Sequence, residues 1–425
     1  MNALNNIMVL ISQTRFFSIT ALFCSTIALL PAESFCFQTT LQTQQSQPPK
    51  LFTLERTYGG EELPIEYRLD SRNYTPSVAK AIAVNTAGDV YVYDNRNIKV
   101  YDKSGAIKAL LNYSLKGKSW GLTWNVQPIS ISSKEYLTTQ YNGAGMIFLP
   151  DNTLLKDWRL DGTPAAELYF FAGQQLHIGN TFSLIALNEN ELIYVGHTMT
   201  EDNPNETYYN LIVYEKNGIL KIIAKYDLFN MACHKERGGG FRQTLNNKLG
   251  RLHFALLPDD RIIYCHTYYD VTYFENKSAS GGKDNTGYCV FHISNPDGSD
   301  ERRLTYTFTP IPFTRLNLKQ AIASYGRANN ADKKLRKRLE LLKYFKPFEE
   351  MFVDGKYIFL VTDSYYVKKP VGVVIKTDVQ ETSVMSIEYE FVPALIRDGY
   401  AYRINSSILQ PVVEKYKINP KVYGK

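Results

Sequence analysis

The sequence predicts an all-β fold, a six-bladed β-propeller, and three observations carry that prediction. Residues 80–114 hold four β-type runs separated by turn residues: AIAV, DVYVYD, IKVYD and AIKALL. Comparable units recur along the chain until about six can be counted, within the four-to-eight range of propellers. The last unit has only three runs, and LFTLERTYGG near the start would supply its missing outer strand. A ring closed by pairing the N-terminal strand with the C-terminal blade leaves no open sheet edge.

The units follow in order. The second spans residues 126–142 and 146–162, and the third residues 182–199 and 210–228, a close echo of the first. The fourth runs from Arg251 through Phe308 and the fifth from Phe348 through Phe391. The sixth runs from Phe391 to Asn419. Hydrophobic residues form 44% of the 425, ample for a core, and the 31 tyrosines suit half-buried strand surfaces. The net charge of +6 comes from 48 basic residues scattered among 42 acidic ones, which gives no nucleic-acid footprint.

Residues 80–105, with an apolar strand, a Gly turn, Tyr-Val-Tyr-Asp, and then Ile-x-Val-Tyr-Asp-x-x-Gly, resemble an NHL-type repeat. From about Leu51 to Lys425 the chain resembles bacterial six-bladed propellers of the NHL-repeat and TolB-like group. The start LERTYGGEELPIEYRL and the ending PVVEKYKINPKVYGK look like the ends of exported members of that group. The first and third units follow the repeat most closely; the second, fourth and fifth lack the full Asp-x-x-Gly order or carry insertions. No Gly-His or Trp-Asp signature of WD40 repeats is present.

The N-terminus reads as an export signal over residues 1–34. No acidic residue precedes Arg15, FFSITALFCSTIALL follows, and Ala32 and Ser34 fit a cut before Phe35. The rival readings are an uncleaved anchor and a lipoprotein cysteine, although Phe23 before Cys24 fits a lipobox poorly. Residues 35–50, polar and Gln-rich, read as a disordered linker, and residues 51–425 as the propeller. The expected location is the periplasm or the extracellular space, with membrane anchoring through an uncleaved N-terminal segment as the variant. No membrane span remains after signal removal, and a monomer is expected. Cys265 and Cys289 flank one hairpin, so they are either two buried thiols, the simpler reading, or a disulfide.

Residues 316–346 break the strand rhythm. Leu335, Leu339 and Leu342 fall at helical spacing behind Asp332 as N-cap, which predicts a helical insertion between blades 4 and 5. Its crowded Lys333, Lys334, Arg336, Lys337 and Arg338 read either as a solvated face or as a basic lid.

Residues ending the second strand of each blade would ring the top face: Asp94, Gln140, His197, His266, Asp363 and Asn405. Asp94 and Asp363 also fit simple corner duty. His197 and His266 occupy matching positions in adjacent blades, so a divalent metal ion or acid–base work is conceivable there. The loop CHKERGGGFRQ adds Lys235, Arg237 and Arg242 beside three glycines, an arrangement suited to an anion or to ordinary solvated loop. No self-sufficient catalytic motif appears. The expectation is therefore an exported non-enzymatic propeller, without cofactor, that binds a protein partner or small polar ligand on its top face. The alternative is a lactonase-like, metal-dependent hydrolase or lyase with one divalent ion near the central channel.

Overall fold

The computed structural model describes residues 50–69, 82–94, 97–112, 129–141, 144–159, 170–171, 174–200, 208–227, 250–277, 283–315, 343–362, 370–377, 384–407 and 410–424. The strand that opens this set is β1 (Phe52–Tyr58). Blade 1 follows as β2 (Ile82–Val84), β3 (Val90–Asp94), β4 (Asn97–Tyr101) and β5 (Ile107–Asn112). Blade 2 comprises β6 (Ile129–Ile131), β7 (Leu137–Tyr141), β8 (Ala144–Phe148) and β9 (Leu154–Arg159). Blade 3 comprises β10 (Phe170–Phe171), β11 (Gln174–Asn188), β12 (Glu191–Thr200), β13 (Tyr208–Lys216) and β14 (Ile219–Asp227). Blade 4 comprises β15 (Leu252–Leu256), β16 (Ile262–His266), β17 (Val271–Lys277), β18 (Lys283–Ser294) and β19 (Arg302–Phe308). Blade 5 comprises β20 (Glu350–Asp354), β21 (Tyr357–Val361), β22 (Val371–Lys376) and β23 (Val384–Glu388). The last sheet holds β24 (Leu395–Arg397), β25 (Tyr400–Asn405) and β26 (Val412–Ile418), and β1 lies antiparallel against β26 from Phe52↔Ile418 to Tyr58↔Val413.

The all-β, six-bladed expectation is met by these six antiparallel sheets. Their strands are apolar in both phases of the two-residue period, so each sheet buries both faces. In blade 1, Ile82, Val84, Val90 and Val92 pack toward Tyr402 and Val413 of the last sheet. The residues between them, Ala83 and Tyr91, pack toward Ile129, Leu137 and Phe148 of blade 2. In blade 3, Leu184 and Ala186 meet Ile147 of blade 2, while Ile185 and Leu187 share a cluster with Ile262 and Tyr264 of blade 4. Ile358 and Leu360 of blade 5 face blade 4, and Phe359 and Val361 face the last sheet. Every neighbouring pair of blades thus shares one core.

The hairpin turns explain why Gly and Asp recur at fixed offsets. Between β4 and β5, the Asp102 carboxylate accepts from the Ser104 backbone N–H at 2.7 Å, the Ser104 hydroxyl at 2.5 Å and the Ala106 N–H at 3.1 Å. Gly105 then takes a φ of +92°, which costs a residue without Cβ little. These bonds hold the Asp102 carboxyl below its ordinary range, the Ser104 hydroxyl contributing most. Turns between first and second strands also join blades. The Thr86 N–H donates to Glu135 at 3.1 Å, and Asp398 and Gly399 N–H groups donate to Asp354 at 2.7 and 2.9 Å. Ser133 of blade 2 likewise hydrogen-bonds Asp260 of blade 4.

Blade 4 departs from a simple four-stranded meander. β18 is twelve residues long; its C-terminal part pairs with β16 and its N-terminal part with β17, while β19 takes the other edge. β16 and β17 therefore form one long edge interrupted by the turn at residues 267–270. The predicted helical insertion lies outside the described residues from 316 to 342. Its flanks are described and meet: the Phe313 N–H donates to the Lys343 carbonyl at 2.8 Å, and the Phe345 N–H to Ile311 at 2.9 Å. The signal and linker segments lie outside the described residues up to position 49. Among the described residues no helix is long and apolar enough to cross a membrane.

Gly372 shows how tightly blade 5 is packed. A Cβ there would meet the Leu360 carbonyl oxygen and Cε2 of Tyr389, each at 2.2 Å. One contact is backbone and the other a ring with no exposed surface to move into, so neither neighbour gives way. Gly372→Ala is expected to lower unfolding stability by about 3 kcal/mol, read as a shift of the urea midpoint with an unchanged slope.

Candidate binding site

Of the second strands, β3, β16 and β25 end at the residues the sequence names, Asp94, His266 and Asn405, whereas β7 and β12 run on past Gln140 and His197 and β21 stops at Val361. Asp94 ends β3 and is buried; its carboxylate meets the Lys99 ammonium at 2.6 Å. Lys99 is itself buried and also donates to the Arg68 carbonyl. Asp94 is thus engaged in a buried corner. Asn405 ends β25 in a similar way: its amide donates to Glu414 at 2.8 Å and its oxygen accepts from the Ser407 N–H and hydroxyl. Gln140 and His197 lie in β7 and β12, with backbones opposite Gly145 and Asn210 respectively. Asp363, Lys235, Arg237 and Arg242 lie outside the described residues.

His266 is the one predicted histidine whose surroundings are defined, and it ends β16 with no exposed surface. Its Nδ1 accepts from the Tyr268 backbone N–H at 3.2 Å. That leaves the proton of the neutral ring on Nε2, which faces the Asn210 side-chain amide at 3.2 Å. A neutral ring that accepts at Nδ1 donates at Nε2, so the Asn210 amide is assigned with its oxygen toward Nε2–H. Burial pushes the His266 pKa down to about 4, against a smaller upward pull from Asp270. The ring is a neutral, fully bonded post. The residue that reaches it from blade 3 is Asn210, on the strand paired with that of His197.

Asp270, absent from the sequence-level candidates, gathers this region. One carboxylate oxygen accepts from the Tyr226 hydroxyl at 2.9 Å and from the His266 backbone N–H at 2.7 Å. The other faces His292 Nε2 at 3.3 Å, and His292 Nδ1 faces Glu301 at 3.0 Å. The backbone N–H of Asp270 closes the turn onto the His266 carbonyl at 2.9 Å. The bond to Asp270 is the largest cause raising the His292 pKa, opposed by burial and helped by Glu301. The imidazole also stacks on Tyr264 at 5.0 Å and 9°.

On this support stand three tyrosines. Tyr226 lies 4.8 Å from the His266 ring and stacks on Tyr269 at 5.8 Å, and Tyr268 meets Tyr269 edge-on at 5.2 Å. Tyr268 and Tyr269 are 42% and 37% exposed, so their rings face solvent while their backbone is fixed by the turn. Toward blade 5, the Thr267 N–H donates to the Arg251 carbonyl at 3.0 Å, and Arg251 pairs with Glu350 at 2.7 Å. The stretch HTYYD was visible in the sequence, yet it lacks Gly or Pro and reads as continued strand. The consecutive tyrosines were the signal for a surface feature.

A metal centre built on His197, His266 and nearby carboxylates is not assembled among the described residues. No group of three His, Cys, Asp or Glu side chains could hold an ion there. Of the rim carboxylates, Asp94 is held by Lys99 at 2.6 Å.

No protein-family model matches the chain, and no curated protein matches it. Solved structures do. A chain of a mitotic checkpoint complex aligns at 10% identity and a TM-score of 0.41, over 92% of this chain and 99% of that one. An oligogalacturonate lyase in complex with manganese aligns at 10% identity and 0.36, over 88% and 98%. A gluconolactonase from Xanthomonas campestris aligns at 10% identity and 0.36, over 86% and 99%. At these scores the likenesses carry no argument about this chain's chemistry.

The depressed pKa of His266 makes a signed prediction. Its folded value lies below the unfolded value near 6.5, so below that pH the unfolded chain binds the extra proton. Stability is lost as pH falls from about 6.5 to 4, by about 3 kcal/mol from this group, and not further below. In His266→Gln that component is absent. Urea unfolding at pH 7, 5.5 and 4 is expected to show the parent's advantage over the variant shrinking by that amount.

Proposed function

We propose that this chain is an exported, non-enzymatic β-propeller that binds a protein partner or small polar ligand on the face where the second strands end. The observation that supports it is the exposed Tyr268–Tyr269 pair standing on a buried and internally bonded base of His266, Asn210, Tyr226 and Asp270. Rings fixed in place lose little freedom when a ligand covers them, and tyrosine offers both an apolar face and a hydroxyl. His266 has both ring nitrogens engaged inside the protein, which suits support better than proton transfer. Export is supported by the residues before Phe35.

The NHL and TolB-like placing rests on the blade pattern of residues 80–105. A ring latched by the N-terminal strand is supported by the β1–β26 register and by Glu390, which accepts from the Leu51 N–H at 3.0 Å. The helical insertion over 316–346 rests on its leucine spacing. In the second reading, a metal-dependent hydrolase or lyase, an ion would need His197 and Asp363 among its ligands.

The double variant Tyr268→Ala/Tyr269→Ala tests the first reading. Both proteins are immobilised, exposed to envelope extract, and what each retains is identified by mass spectrometry. The expectation is at least a ten-fold loss of the retained species with an unchanged melting temperature. Equal retention would remove this face from consideration. Elemental analysis of the purified parent separates the readings, since one bound transition-metal ion per chain would favour the enzyme.

A further inference from the structure

The fourth blade contains a pair of sulfur atoms that the binding reading does not use. Cys265 lies in β16 and Cys289 in β18, both with no exposed surface, and their Sγ atoms are 3.2 Å apart. They are not cross-strand partners in the ordinary sense. β16 pairs with β18 through Ile262↔Ser294 to Tyr264↔His292, whereas Cys289 pairs with Val271 on the far side of the turn. The sulfurs therefore meet diagonally across the place where β16 breaks and β17 begins. We propose that Cys265 and Cys289 form an intramolecular disulfide that pins this break and thereby fixes the turn carrying His266, Tyr268, Tyr269 and Asp270.

The geometry requires little movement. A disulfide needs the sulfurs about 2.05 Å apart, so each would shift by roughly half an ångström. Ile263, Phe291, Tyr306 and Phe348 surround the pair in an apolar cluster that keeps both side chains together. Burial and the neighbouring Cys289 push the Cys265 thiol well up, so the folded protein supplies almost no thiolate there. An external oxidant would also have no surface to attack. The bond is consequently made before the blade closes, while both thiols are still exposed.

The chemistry is thiol–disulfide exchange with a low-molecular-weight disulfide, RSSR. One cysteine thiolate attacks RSSR, forms a mixed disulfide and expels RS⁻. The second cysteine thiolate attacks the protein sulfur of that mixed disulfide and expels the other RS⁻. The two protons lost by the cysteines go to the two leaving thiolates. The protein dithiol is oxidised by two electrons and RSSR is reduced to two RSH. In a reducing compartment the exchange runs backward during folding, and the blade closes over two thiols.

The test is to refold the full-length chain from denaturant in a buffer of reduced and oxidised glutathione. Remaining thiols are then alkylated under denaturing conditions and the peptides mapped without reductant. The expected result is a linked pair of peptides containing Cys265 and Cys289, two hydrogens lighter than the sum, with Cys24, Cys36 and Cys233 alkylated. Alkylation of both Cys265 and Cys289 would overturn the proposal, as would a bond from either to Cys24, Cys36 or Cys233. The pinning role has its own readout. Reduction during refolding is expected to lower the melting temperature of the parent by roughly 5 °C and to leave Cys265→Ala/Cys289→Ala unmoved. If the linked and reduced parent melted alike, the bond would not pin the turn. The peptide map decides the linkage even if the double variant fails to fold.

Discussion

Each sheet of this protein is apolar on both faces, and that constraint determines most of the architecture. A sheet with one wet face can stop at a single neighbour, but these sheets cannot. Tyr91 faces one core and Val90 and Val92 face another; the same alternation separates Ile263 and Cys265 from Ile262 and Tyr264. Burying a side chain of that size stabilises the fold by about 2 kcal/mol, and each blade contributes such residues in two directions. A blade removed from its neighbours would expose both sets. The six cores between neighbouring blades, the last joining Tyr402 and Val413 to Ile82 and Val84, are the consequence.

Several polar groups inside this frame are bonded to one another. Lys99 reaches Asp94, the Tyr194 hydroxyl donates to Glu215 at 2.5 Å, and Arg403 holds Glu414 at 2.5 Å while lying 4.2 Å over the Phe391 ring. Removing one member of a buried charged pair strands the other and costs about 3–5 kcal/mol. Such pairs therefore fix corners and strand ends in place. Asp94 belongs to this class, and Asn405 is likewise engaged through its amide by Glu414 and Ser407, although their position on the rim resembles that of a ligand-binding residue. What distinguishes the 266–270 turn is that its polar atoms are consumed below the surface while its tyrosine rings remain above it.

The blade rhythm was legible in the sequence because it rests on local chemistry. Apolar runs such as YIFLV and RIIYC need cover on two sides, and turns need residues tolerant of positive φ, as at Gly88, Gly105, Gly298 and Asp260. Those requirements act within a few residues. The break between β16 and β17 was not legible, because nothing in HTYYD is a breaker; the turn is made by Asp270 bonding back to His266. Nor could the burial of His266 be read, since it depends on Tyr226 and Asn210 from the preceding blade. The sequence set His197 and His266 at matching strand positions; His266 ends β16, whereas His197 lies three residues before the end of β12, and nothing in the sequence showed that Asn210 of the neighbouring strand reaches His266. Cys265 and Cys289 were seen to flank a hairpin, but their diagonal meeting depends on the same unseen break.

The two histidines around Asp270 are driven in opposite directions, and the division carries a physical consequence. His266 has no exposed surface and bonds to a backbone N–H and an amide, so desolvation rules and the ring stays neutral. His292 lies between two carboxylates, so bonding rules and its charged form is favoured. The stabilisation from His292 is complete below its unfolded pKa and is lost as pH rises through the higher folded value; that from a neutral His266 behaves in the opposite sense. Asp270 thereby has His292, whose charged form is favoured, at one oxygen and the Tyr226 hydroxyl and His266 backbone N–H at the other. A carboxylate balanced in this way can remain among aromatic rings without recruiting solvent, and it holds the turn in one conformation. The arrangement therefore accounts for a rigid base under the exposed rings of Tyr268 and Tyr269.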